Sequence, residues 1–151
     1  MTTAKEYLLE IQRLKKRCIS LQLKLDELRT QAAGVKAITY DKDKVQTSPH
    51  NNLEHMMLRI VDLEGKYIKT IADYHAAIHL REKQIEGLQN PDYEELLRLR
   101  YVEENDKGQQ MTLEEIAFRT GRSFTRVRHM HGEALEAFRR KYLTKRKVST
   151  Q

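Results

Sequence analysis

The chain has a single cysteine, Cys18, which excludes an intramolecular disulfide framework and fits a reducing compartment. It has no tryptophan, and its two prolines leave long stretches free of helix breakers. No run of 18 apolar residues occurs, so no membrane-spanning helix is expected. The opening MTTAKEYLLEIQRLKKRC lacks an apolar core and a cleavage site, so no signal peptide is expected and the cytoplasm is the expected location. Phosphate-cradling glycine loops, H-E-x-x-H, G-x-S-x-G and CxxC pairs are all missing, and the carboxylates are scattered as solvated charges are. Neither an enzyme nor a cofactor is expected. His75 and His79 stand four apart, but a third metal ligand is lacking, so they read as surface histidines.

What is present is charge and helical periodicity. One third of the 151 residues are charged, and the expected fold class is all-α, as one medium or two small domains. Residues 4 to 28 carry a heptad run. Ala4, Ile11, Cys18 and Leu25 hold one seam position, and Tyr7, Leu14, Leu21 and Leu28 hold the other. Such a stripe requires a partner helix, in the same chain or in a second copy. Cys18 lies in that seam as a small apolar filler. Ala32-Ala33-Gly34 is expected to end this helix, with a loop over 31–51.

A second helix is expected to begin between Ser48 and Asn52, with Pro49 tolerated in its first turn. Its apolar stripe (Leu53, Met57, Ile60, Leu63, Tyr67, Ile71, Tyr74, Ile78, Ile85 and Leu88) runs to about Gln89. Gly65 and Gly87 weaken it and are expected to mark a bend and a hinge. Residues 1–90 thus read as a long, coiled-coil-like helical hairpin. Asn90-Pro91-Asp92 then marks a helix start, with Asn90 as cap and Pro91 in the first position. Tyr93, Leu96, Leu97 and Tyr101 are placed to support the two helices after them, and 103–110 reads as a polar loop.

Residues 111–138, MTLEEIAFRTGRSFTRVRHMHGEALEAF, read as two short capped helices around a glycine turn, the helix-turn-helix pattern. Thr112 and Glu115 form a T-x-x-E capping box, with Met111 and Ile116 as a hydrophobic staple. Gly121 suits a left-handed helix end, and Ser123 suits the next N-cap. Val127, Met130, Ala134, Leu135 and Phe138 share one arc of the second helix. Thr125, His129, Gly132 and Glu136 face the other way, flanked by Arg126 and Arg128. From Arg119 to the end, ten Lys or Arg stand against Glu133 and Glu136, a net +8. With a whole-chain charge of +6, residues 1–118 carry −2. A basic excess confined to one segment is the footprint of phosphate binding. The expected organisation is a hairpin over 1–90, a three-helix DNA-binding domain over 91–143 and a basic tail over 144–151.

The segment LLRLRYVEENDKGQQMTLEEIAFRTGRSFTRVRHMHGEALEAFRRKY resembles region 4 of sigma-70 factors. The shared elements are an L-x-x-R-Y helix, an E-I-A helix, a glycine turn and then an S-x-x-x-V pattern, over about residues 93–142. The whole layout resembles phage-encoded, sigma-like late transcription regulators of the ArpU and RinA kind. This resemblance implies promoter binding through the major groove, with RNA polymerase as a further partner. Sigma factors place a basic residue, an acidic residue and then a glutamine on the recognition helix. Here those places hold Phe124, Thr125 and His129, while Arg126 and Arg128 are kept. The expected base reading therefore differs from that of the host factor.

The expected function is a sequence-specific transcriptional regulator, with double-stranded DNA as partner and no membrane. Its expected DNA contacts are Arg122, Ser123, Phe124, Thr125, Arg126, Arg128, His129, Gly132, Arg139, Arg140 and Lys141. A homodimer through the N-terminal heptad seam is a further expected partner. The alternatives are a small-terminase-like packaging protein and a helical protein-interaction module.

Overall fold

A computed structural model describes residues 2–42 and 50–144, with the side chains of 39–42, 50 and 51 left aside. The described residues are helical throughout, without strands, apart from short turns and one isolated bridge between Glu104 and Gln110. The helices are α1 (Ala4–Lys42), α2 (His50–Glu86), α3 (Pro91–Leu97), α4 (Leu113–Thr120) and α5 (Phe124–Phe138). α3 and α5 each run on into a π-helical turn, Arg98–Val102 and Arg139–Leu143. Both turns close with a bond five residues back, from Glu103 N to the Arg98 carbonyl (2.9 Å) and from Thr144 N to the Arg139 carbonyl (3.0 Å).

The chain divides into two compact units. One is Lys15–Ala76; the other joins Met1–Leu14 to Ala77–Gln151. The start of α3 at Pro91 falls within the second of these units. Tyr7 and Gln12 on one side, and residues 77–90 on the other, belong with the C-terminal helices, Tyr7 packing against Phe138 and Gln12 donating to the Tyr101 carbonyl.

In the unit Lys15–Ala76, α1 and α2 pack through Leu28, Val35 and Ile60, with Ala32, Leu53, Met57 and Tyr67 around them. Arg29 Nε pairs with Glu64 at 3.2 Å. α1 does not stop at Ala32-Ala33-Gly34; it continues to Lys42. Val35 is buried against α2, and that burial offsets the roughly 1 kcal/mol helix penalty of Gly34. Much of the expected loop over 31–51 is therefore helix, and residues 43–49 lie outside the described residues. α2 begins at His50, inside the expected window, and passes through Gly65 without a break in its helix.

The heptad seam is buried within the single chain: Ala4, Ile11, Leu14, Cys18, Leu25 and Leu28 are all inaccessible, and Tyr7 and Leu21 are half-buried. A second copy is not needed to cover it. Burial pushes the Cys18 thiol above its ordinary pKa, as suits an apolar filler.

In the other unit, Thr3 and Glu6 form a reciprocal capping box at the start of α1, Thr3 N to Glu6 Oε2 at 3.0 Å and Glu6 N to Thr3 Oγ1 at 3.2 Å. Tyr7 donates to Gln84 Oε1 (2.8 Å), lies under the Arg81 guanidinium (4.2 Å) and packs against Phe138 of α5, with ring centroids 5.8 Å apart. α2 ends at Glu86, three residues short of the expected end. Gly87 sits just past it, where a Cβ would collide with the Tyr142 hydroxyl. Leu96, Leu99, Met111, Ile116, Ala117, Val127 and Met130 form one core cluster, which draws together α3 with its π turn, α4 and α5. Leu97 and Tyr101 are fully buried as well, while Tyr93 is only half-buried.

Candidate nucleic-acid interface

The candidate surface is built from its caps upward. Asn90 Oδ1 accepts from Asp92 N (3.1 Å) and Tyr93 N (3.3 Å), so α3 starts where Pro91 predicts. Thr112 Oγ1 accepts from Glu115 N at 3.1 Å, which caps α4. The reciprocal half of that box is replaced. Glu115 instead takes Asn105 Nδ2 at 3.3 and 3.4 Å, fastening the 103–110 loop to α4. Asn105 also holds that loop from within, its Oδ1 accepting from Lys107 N and Gln109 N.

Gly121 has φ 69°, a left-handed conformation open to glycine without steric cost. Arg122 N returns to the Ala117 carbonyl at 3.0 Å, closing the helix end. Ser123 Oγ accepts from Arg126 N at 3.2 Å and caps α5. The capped turn sets α5 so that Val127, Met130, Ala134 and Phe138 are buried, while Thr125, Arg126, Arg128, His129 and Gly132 are exposed. Among the described residues, no hydrogen bond or ion pair engages the side chains of Thr125, Arg128 or His129. A Cβ at Gly132 would meet nothing within 4 Å, so no internal packing demands glycine there. Phe124 is partly exposed at the first turn of α5, and Phe118, on α4, is 92% exposed.

The remaining expected contacts are occupied within the chain. Arg122 Nη2 pairs with Asp92 Oδ1 at 2.8 Å, tying the turn to the start of α3. Arg139 grips Glu136 with both Nε (2.9 Å) and Nη2 (2.7 Å), and Arg140 Nε reaches the same carboxylate at 3.0 Å. The Arg139 hydrogen bond, helped by Arg140, holds the Glu136 carboxyl down at about 2. Lys141 donates to the Gly87 carbonyl. The basic cluster at 139–141 is thus partly neutralised while it stays exposed, because Glu136 lies one turn before it and the Gly87 carbonyl accepts from Lys141. The basic tail after Thr144 lies outside the described residues.

Sequence reasoning missed a polar contact behind this surface. The Tyr101 hydroxyl lies 2.8 Å from His131 Nε2, and the two rings are nearly parallel with centroids 5.8 Å apart. Gln12 Nε2 donates to the Tyr101 carbonyl at 3.2 Å, and Arg100 donates to the Met111 carbonyl. Thirty residues separate Tyr101 from His131, and no local pattern marks the pair. Burial pushes His131 down to about 4, with Arg100 and Lys5 acting in the same direction. Burial pushes Tyr101 up to about 12. His75 and His79 are exposed on α2, and no group of metal-ligating side chains is found among the described residues.

No protein-family model, curated protein or solved structure matches this chain.

The His131 environment carries a pH prediction. The folded chain holds this imidazole neutral down to about 4, whereas the unfolded chain protonates it near 6.5. Between those values the unfolded state binds more protons, so stability is full above 6.5 and declines as pH falls toward 4. Urea midpoints measured across that interval are expected to fall for the native chain. In His131→Gln the decline is expected to be clearly smaller.

Proposed function

We propose that this chain is a sequence-specific DNA-binding transcriptional regulator. In this reading α4, the Gly121 turn and α5 act as a helix-turn-helix, with α5 as the recognition helix and α3 as its support. The observation that carries it is the split of α5 into a buried apolar arc and an exposed arc of Thr125, Arg126, Arg128 and His129. Recognition helices present their N-terminal residues to base edges, and these residues occupy the first two turns. The resemblance to sigma-70 region 4 extends the proposal to promoters, where the chain acts with RNA polymerase as a phage or prophage late-gene activator. α1 and α2 serve as a helical hairpin that carries the DNA-binding end.

Roles divide along the surface by what is already bound. Arg126 and Arg128 grip phosphates, which position the protein without reading sequence. Thr125 and His129 read base edges. Gly132 lets the DNA backbone come close. Arg139, Arg140 and Lys141 contribute field more than contact, since Glu136 and the Gly87 carbonyl already hold them.

Salt dependence tests the division. Arg128→Ala is expected to weaken binding to all sequences alike and to lower the slope of log affinity against log salt by about one unit. Arg139→Ala is expected to change that slope less, since its charge is already paired. Equal effects of the two variants would contradict the assigned roles.

Base reading is tested by binding-site selection at fixed salt. His129→Ala is expected to relax preference at one or two operator positions, a loss of about 1–3 kcal/mol of discrimination, with little change on non-specific DNA. Selected sequences identical to those of the native chain would remove His129 from the reading surface.

Gly132→Ala separates close approach from folding. Open space around the position means the variant should be stabilised by up to about 1 kcal/mol in thermal or urea unfolding. DNA affinity should nonetheless fall. A variant that is more stable and binds DNA unchanged would show that nothing approaches Gly132.

A further inference from the structure

α2 carries two apolar stripes, and its packing on α1 uses only one. Leu53, Met57, Ile60 and Tyr67 belong to the inner stripe, which packs with Leu28 and Val35 of α1. Roughly 100° around the helix lies a second set: Leu58, Val61, Gly65, Ile68, Ala72 and His75. Their spacing alternates three and four residues, the signature of a seam made for another helix. All six are exposed, with Leu58 at 63%, Val61 at 55% and Ile68 at 47%. The set lies wholly inside the unit Lys15–Ala76, and its length is roughly 25 Å.

The seam is complementary to itself when inverted. Aligning two copies antiparallel, with Gly65 of one against Ile68 of the other, places Val61 against Ala72 and Leu58 against His75. Large side chains then meet small ones in the central layers, as interdigitated packing requires. The same register brings Asp62 of each copy beside Lys69 of the other, twice by symmetry. Both residues are exposed, and among the described residues neither side chain has a hydrogen bond or ion pair. A parallel pairing would stack Gly65 on Gly65 and leave a void. It would also rely on Glu64 to meet Lys69, although Glu64 is already held by Arg29.

We propose that the outer stripe of α2, Leu58 to His75, is an antiparallel homodimer surface, with Asp62 and Lys69 fixing its register. The surface differs from the N-terminal heptad seam, whose residues are covered within the chain. An interface of this size stands at the small end for specific association, so dissociation in the micromolar range is expected.

Sedimentation equilibrium of the full chain tests it. At about 0.1 mM the native protein should be largely dimeric. Ile68→Glu should be monomeric with unchanged helicity, because the position is exposed in the monomer. Asp62→Lys and Lys69→Asp should each weaken the dimer about tenfold through two like-charge contacts. Mixing these two variants should restore native association, since every contact across the inverted pair is then opposite in sign. Only an antiparallel register predicts that rescue. A native chain that stays monomeric at this concentration overturns the proposal and leaves the stripe to a different protein. A dimer that survives Ile68→Glu overturns it by placing the contact elsewhere, and failure of the mixed pair overturns the register.

Discussion

The candidate surface depends on one apolar junction, the cluster of Leu96, Leu99, Met111, Ile116, Ala117, Val127 and Met130. α4 has eight residues and α5 fifteen, lengths at which an isolated helix is marginal in water. Each is held by burying its apolar arc against the others. Because Val127 and Met130 are fixed inward, the side chains at 125, 128 and 129 have no choice but to face outward. The orientation of the exposed arc is therefore a consequence of core packing and not of any polar contact on that arc.

Around this junction, polar groups set angles more than they supply stability. Asp92 complements the field at the start of α3 and pins Arg122, which fixes the turn between α4 and α5 from outside. Asn105 orders a short loop and takes Glu115 away from its own helix cap. These are exposed contacts, each worth little on its own, yet they reduce the number of ways the short helices can meet. The Tyr101–His131 contact acts more deeply, since Tyr101 is fully buried, His131 is half-buried, and burial favours the neutral form of both.

Net charge alone overstates the basic surface. Ten Lys or Arg after residue 118 form a strong electrostatic signal, but Glu136 binds two of the arginines and backbone or Asp92 oxygens bind two more basic side chains. Among the described residues after 118, Arg126 and Arg128 have no such side-chain partner, and Arg119 meets only the Met111 sulfur, at 3.9 Å.

Much of the local structure is written in short-range chemistry. The caps at Asn90, Thr112 and Ser123, the left-handed turn at Gly121, the heptad seam of α1 and the two arcs of α5 all arise from side chains within one or two turns of each other. Steric limits and unsatisfied backbone groups act over that range, so a sequence determines them by itself. Tertiary structure decided what depends on neighbours distant along the chain. α1 passes its alanine-glycine break because Val35 finds α2. The heptad seam finds its partner within the same chain. Glu115 leaves its capping box for Asn105, and Lys141 turns toward the end of α2. His131 is held neutral by burial, with Arg100 and Lys5 acting in the same direction, and meets the Tyr101 hydroxyl thirty residues away. At Val35, the seam and His131, burial against a remote element, worth about a kcal/mol or more, made the selection, whereas Glu115 and Lys141 were drawn away by exposed hydrogen bonds.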